Sequence, residues 1–155
     1  YREIGGMVIL HMISDEIVDL AVSSDITMIA TDGYIKRRKG HPRTAGSYTK
    51  VLGEYVREKK SLSMLNAIKK MSLMPALRME KLVPSMNNKG RIRIGADADL
   101  AIFDSKTVID KATYGNPTLS PVGMVHVVVN GIVVVENEKF ISGLNPGLPI
   151  RSLVN

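Results

Sequence analysis

Apolar and polar positions follow two different rhythms along this chain. Up to Pro84 the pattern suits buried strands and amphipathic helices; beyond it the pattern suits antiparallel β-structure. Met7 to Met12 is a short apolar run with two glycines before it and Ser14-Asp15 after it, as expected of a strand buried on both faces. Ser14 can cap the helix that follows, and Asp15 and Glu16 suit the positive end of its first turn. Ile17, Leu20, Ala21 and Ser24 mark the stripe that this helix should bury. Residues 26–30, Ile-Thr-Met-Ile-Ala, read as a second strand, closing in Thr31-Asp32-Gly33. Strand, helix and strand in that order, with ~10 helical residues between, predict a βαβ unit with parallel strands and a right-handed crossover.

Residues 34–47 read as a long polar loop containing Gly40, Pro42 and Gly46, and loops of this length in a compact domain are often functional. The spacing of Val51, Leu52, Tyr55 and Val56 predicts a helix over 48–60, and that of Met64, Ile68 and Met71 a second over 63–71. The methionines serve as adaptable core filler. A third short helix is expected over 75–82, with Pro75 at its first position. Residues 91–94 alternate polar and apolar, 98–103 read as a strand, and 125–129 and 132–135 flank Asn130-Gly131. That dipeptide favours a type I′ hairpin turn, which needs positive φ at both positions. Residues 138–141 suit one more short strand. Residues 1–84 thus look like part of an α/β layer and residues 85–155 like antiparallel β-structure, with no internal repeat.

Composition narrows the field. The 155 residues fit one domain with a real core, 45% being hydrophobic and 23% charged. No apolar run approaches the ~20 residues that span a bilayer, so no membrane partner is expected. The absence of Cys excludes disulfides and thiolate metal sites, and the cytoplasm is the default location. The net charge of +6 is concentrated at residues 36–39 and 57–60. Such patches can bind nucleic acid, but five Tyr, two Phe and no Trp supply few stacking groups. Solvated loop and helix-end charge is the preferred reading, with no nucleic-acid partner. The three histidines, His11, His41 and His126, lie far apart and form no His-x-His pair, so this chain alone is not expected to build a complete zinc site. Because the sequence opens on Tyr1 rather than Met, further polypeptide is expected before it.

Asp32 is placed at the carboxyl end of a strand, where α/β folds carry reactive groups, and Gly33 lets a ligand approach the backbone there. The same Asp could instead cap a turn. Arg43 could hold a substrate carboxylate through two parallel hydrogen bonds, or face solvent. His41 could face the site or anchor its loop, and His11 and His126 read first as hydrogen-bonded strand residues. The run from Lys89 to Asp104 carries Asp97 and Asp99, best read as a turn whose Asp side chains bond backbone amides rather than as a metal loop.

That run, with Gly95-Ala-Asp-Ala-Asp-Leu100 before an apolar strand and Asp104, resembles the small β-domain of the amidohydrolase superfamily, as does Val127-Val-Val-Asn-Gly-Ile-Val-Val134. Upstream, Met28-Ile-Ala-Thr-Asp-Gly33, Gly40-His-Pro-Arg-Thr-Ala-Gly-Ser-Tyr48 and Val51-Leu-Gly-Glu-Tyr-Val-Arg-Glu58 are similar to the D-aminoacylase group, the N-acyl-D-amino-acid deacylases. Ala67-Ile-Lys-Lys-Met71, Leu73-Met-Pro-Ala76 and Asp110-Lys-Ala-Thr-Tyr114 with Pro117 extend the likeness over nearly the whole chain.

The resemblance implies the carboxyl-terminal portion of a metal-dependent amidohydrolase. Residues 1–84 would hold the last two strands and helices of a TIM-type (β/α)8 barrel, with 7–12 and 26–31 as its seventh and eighth strands. Residues 85–155 would supply the last strands of a small β-sandwich. It implies Zn2+ or another divalent metal, held mostly by barrel strands outside this sequence. Asp32 becomes the catalytic acid-base and a weak candidate metal ligand, Arg43 the partner of the substrate's α-carboxylate, and Gly33 and His41 their neighbours in substrate binding. The implied substrate is an N-acyl-D-amino acid, N-acyl-D-glutamate among the candidates; the basic loop from Tyr34 to Gly40 departs from the group's pattern and leaves side-chain preference open. The chain by itself would be inactive, with unpaired barrel strands that invite self-association. A cyclic amidohydrolase of hydantoinase or dihydroorotase type, or a non-catalytic remnant acting as a binding module, are the alternatives.

Overall fold

A computed structural model describes residues 9–152. Helix α1 (Asp15–Ser23) is followed by a small hairpin, β1 (Ile35–Lys36) and β2 (Lys39–Gly40). Next come helices α2 (Arg43–Lys50), α3 (Met64–Ile68) and α4 (Met74–Met79). The chain then forms β3 (Leu100–Phe103), β4 (Met124–Val129), β5 (Ile132–Glu136) and β6 (Lys139–Phe140). No helix among the described residues is long and apolar enough to cross a membrane.

The helix expected over 48–60 begins earlier, at Arg43, inside the stretch read as a loop. Pro42 has a helical φ of −58° and accepts from the amides of Ala45 and Gly46 at 3.1 and 3.0 Å, so proline starts the first turn. α2 continues over Val51–Glu58 in wider π-type turns, the last linking the Lys59 amide to Glu54 O at 2.7 Å. α3 and α4 form one rod, joined by similar turns over Lys69–Leu73, so the break expected before Pro75 does not occur. The wide turns accommodate a ring that donates no hydrogen bond and crowds an ordinary helix. Ser63 caps this rod, accepting from Asn66 N at 3.2 Å. The β1–β2 hairpin was hidden in the sequence because its tight turn uses Arg37 and Arg38, at φ 50° and 63°, where Asn-Gly would be the usual signal.

Two expected strands are corrected. Met7 and Val8 lie outside the described residues, while residues 9–12 and 26–31 carry no strand. A strand exists through its ladder, and neither segment has a strand partner among the described residues; the parallel βαβ unit is not formed. Side chains hold the second segment instead. The Lys70 ammonium donates to Ser24 O, to Thr27 O at 2.9 Å and to Thr27 Oγ1 at 2.8 Å, and Ile29 N donates to Lys70 O at 3.2 Å. Lys70 is 3% exposed; burial lowers its pKa, and three acceptors replace the water it has lost. The apolar stripe expected on α1 has no cover among the described residues, Ile17 and Leu20 being 60% and 72% exposed. Periodicity marks an apolar face, but only a packing partner buries it. Val22 packs against the core, and Asp19 pairs with Lys59 at 2.7 Å.

The second half agrees better with its pattern. β3-β4-β5-β6 form an antiparallel sheet in that order. Asn130 and Gly131 turn at φ 50° and 79°, and a second tight turn at Asn137 and Glu138 leads into β6. Asp99 accepts from the Asn130 amide at 2.7 Å and Asp104 from the Lys106 amide at 2.9 Å, while Asp97 pairs with Lys89. The core joins both halves. Val51, Leu52, Tyr55, Leu62 and Ala67 pack around Val108, which comes from between β3 and β4 and is completely buried. The Arg57 guanidinium donates to Val108 O, fixing the same junction. Truncating Val108 to Ala should therefore lower the chain's unfolding free energy by about 1–3 kcal/mol, read from urea unfolding; an unchanged midpoint would show that the junction is not part of the core.

Candidate active site

Asp32 ends the segment held by Lys70, and Arg43 opens α2. The Arg43 side chain reaches back between them. Its Nη2 and Nε donate to Asp32 O at 2.8 and 3.1 Å, and Nη2 lies 3.2 Å from Asp32 Oδ2. One guanidinium thus holds both the backbone and the carboxylate of Asp32, which adopts a positive φ of 42° that Asp tolerates better than most residues. The Asp32 carboxylate remains 94% exposed and the Arg43 side chain 46%. So open a pair contributes little to stability, but both groups can be reached by a solute.

Gly33 makes this approach sterically possible. A Cβ there would stand 2.3 Å from Thr44 Oγ1 and 2.6 Å from Thr44 Cα, so the segment can close on the first turn of α2 only without a side chain. The side of Gly33 expected to admit a ligand is therefore turned on Thr44. The Thr44 hydroxyl is buried there without a hydrogen-bond partner among the described residues.

His41 completes the turn. Its Nδ1 accepts from Arg43 N at 3.0 Å, which fixes a neutral ring with its proton on Nε2. Burial holds its pKa below the usual histidine value, and the charges of Arg43 and His11 push the same way. Three residues singled out in the sequence, Asp32, His41 and Arg43, are thus in one cluster. The fold adds His11 and a residue the sequence reading passed over, Tyr114. The Tyr114 ring stands edge-on to both histidines, with centroids 5.0 Å from His11 and 5.2 Å from His41. Its only sequence signal was membership of the Asp110–Tyr114 motif. His126 is elsewhere, on β4 opposite Ile102 and Glu136.

Among the described residues, no group of three His, Asp or Glu is placed to hold a metal ion. Asp32 offers one carboxylate, turned in part on Arg43, and the Nδ1 lone pair of His41 is engaged by the Arg43 amide. This donor set does not fit a metal by itself. What the cluster can do is exchange a proton at an exposed carboxylate beside a cation suited to a second carboxylate.

Residues 12–135 match the model of the amidohydrolase family. An N-acyl-D-glutamate deacylase of Alcaligenes xylosoxydans xylosoxydans is 43% identical over 107 residues, which is 69% of this chain and 21% of the relative. The chain therefore spans about a fifth of that protein's length. A D-aminoacylase structure with a binuclear metal centre superposes with a TM-score of 0.77 and 32% identity, over 86% of this chain and 27% of that one. An N-acyl-D-glutamate deacylase of Bordetella bronchiseptica, complexed with zinc and a phosphonate mimic of the tetrahedral intermediate, gives a TM-score of 0.70 and 36% identity, over 78% and 24%.

The state of His41 gives a pH dependence with a definite sign. Its folded pKa lies below the ordinary 6.5, so the fold prefers the neutral ring. The unfolded chain then binds more protons, and the stabilisation is complete above the ordinary pKa and lost as pH falls towards the folded one. Urea midpoints at about pH 7.5 and about pH 5.5, either side of the ordinary histidine pKa, should differ less in His41→Gln than in the parent chain. Equal differences would contradict the neutral, amide-accepting ring.

Proposed function

This chain belongs to the amidohydrolase family, and from that premise we propose that it is part of a metal-dependent enzyme that hydrolyses the amide bond of N-acyl-D-amino acids. The observation that carries the proposal is the Arg43–Asp32 arrangement, an exposed carboxylate and a guanidinium meeting at the start of α2, in a chain 43% identical to an N-acyl-D-glutamate deacylase over the aligned residues. A D-aminoacylase relative has a binuclear metal centre and a deacylase relative binds zinc. By analogy the whole enzyme uses a divalent metal, with zinc the first choice. Because the described residues do not complete a metal site, no ligand role is given to any atom of this chain.

The chain's own groups have two tasks in this reading. Asp32 accepts a proton as water adds to the acyl carbon, then delivers it to the amine nitrogen as the C–N bond breaks, so that a neutral amine leaves rather than an amide anion. The products are a carboxylate and a free D-amino acid. Arg43 holds the α-carboxylate of the substrate through guanidinium donors not spent on Asp32 O, which fixes the pose from which chirality is judged. In the whole enzyme, residues 1–84 are proposed to belong to a TIM-type barrel, with segments 9–12 and 26–31 gaining their ladders from other polypeptide. Residues 85–155 are proposed to belong to a β-sandwich.

In the full-length enzyme, Asp32→Asn should lower kcat for N-acetyl-D-glutamate by about 10²- to 10⁴-fold, the usual contribution of a positioned acid-base. Near-normal turnover would remove Asp32 from the mechanism. Arg43→Ala should raise KM by about 10- to 100-fold, as expected for the loss of charge-assisted hydrogen bonds; unchanged KM would take Arg43 out of the site. Assaying D- and L-acyl amino acids beside a hydantoin tests the substrate class, and preference for the hydantoin would overturn it. The 155-residue chain alone should show no deacylase activity with added zinc, and measurable turnover by it would refute the claim that its metal site is incomplete.

A further inference from the structure

Beyond Val108, the loop between β3 and β4 reaches the Asp32–Arg43 cluster through Tyr114. Its base is closed by an antiparallel bridge, Ile109 and Val122 exchanging amide hydrogen bonds at 3.1 Å each. It then leans on α2 where only glycine permits contact: a Cβ on Gly46 would stand 2.2 Å from the Asp110 carboxyl carbon. Asp110 Oδ1 accepts from Ala112 N at 2.7 Å, which sets the direction of the chain onward. A tight turn follows, with Thr113 N donating to Asn116 O at 3.1 Å and Asn116 N donating to Thr113 Oγ1 at 3.0 Å. Tyr114 stands on this turn, its ring in edge contact with those of His11 and His41. Tyr114 itself is 53% exposed and lies outside the core.

We propose that Tyr114 is a positioning residue, its ring holding His41 so that the His41–Arg43 hydrogen bond keeps the guanidinium in place for the substrate's carboxylate. The β-half of the chain, which contributes no reacting group, thereby sets how tightly substrate is held. Edge-on aromatic contacts have a preferred geometry as well as an attraction, so the Tyr114 ring against His41 restricts how the imidazole can turn. His41 Nδ1 meets the backbone amide of Arg43, not its side chain. The effect is therefore on where the first residue of α2 sits and from where its guanidinium projects.

The inference rests on the proposed role of Arg43, and its test separates the two. In the full-length enzyme, Tyr114→Ala should raise KM for N-acetyl-D-glutamate by about 3- to 10-fold, the worth of an aromatic contact, with kcat kept within about twofold. Tyr114→Phe, which keeps the ring, should restore the parent KM. A merely structural role would reduce the amount of folded enzyme and so the apparent kcat, leaving KM alone. Independently of activity, the histidine-ring NMR titration of His41 should move towards the ordinary value in Tyr114→Ala and stay in place in Tyr114→Phe. Should the alanine variant not fold, Tyr114→Leu, which keeps bulk without an aromatic ring, takes its place with the same rise in KM expected. A parent-like KM and His41 titration in the ring-less variant, or a phenylalanine variant as impaired as alanine, would overturn the proposal. A parent enzyme inactive on acyl amino acids would overturn the deacylase reading alone, and the titration would still decide the role of Tyr114.

Discussion

A chain segment without a neighbouring strand has to satisfy its backbone carbonyls by other means, and the segment that ends in Asp32 does so with two cations. Lys70, withdrawn from water, takes Ser24 O and Thr27 O at one end. Arg43 takes Asp32 O with two donors at the other. Each cation belongs to a helix, so the segment is tied to the helical layer at both ends. The position of the one exposed carboxylate in the cluster follows from these two attachments and from the closeness that Gly33 permits.

The helical layer is held in turn by the β-half. Val108 fills the centre of the small core, and Arg57 grips its carbonyl. From that anchor the chain runs directly through Asp110, pressed against Gly46, to Tyr114 beside His41. The junction that stabilises the fold and the loop that reaches the cluster are consecutive stretches of one connection. The β-half is thus tied to the cluster by the same connection that anchors the core.

The electrostatics of the cluster divide the work. Asp32 and Arg43 are open to solvent and suited to solutes, whereas His41 is drawn partly out of water and kept neutral, serving its neighbour's backbone. A histidine used in this way serves as a hydrogen-bond acceptor for its neighbour, and Asp32 is the exposed carboxylate of the cluster.

Some of this was determined by sequence alone. Asn130-Gly131 specified its turn because type I′ geometry is a property of two residues, and the strands on either side followed. The face bearing Val51, Leu52 and Tyr55 declared itself through helical spacing. Asp32 was legible as a candidate from its place at an expected strand end, and Arg43 and His41 from the family resemblance of the motif that contains them. Tertiary structure decided what local rules do not reach. Among the described residues it leaves the apolar stripe of α1 and residues 26–31 without a covering or pairing partner, and it starts α2 at Arg43 inside an apparent loop. It also brought His11 and Tyr114 to His41 from distant parts of the chain. Turns and helical faces are fixed by neighbours within a few residues, but burial, pairing and the convergence of side chains depend on which distant surface arrives, and periodicity carries no record of that.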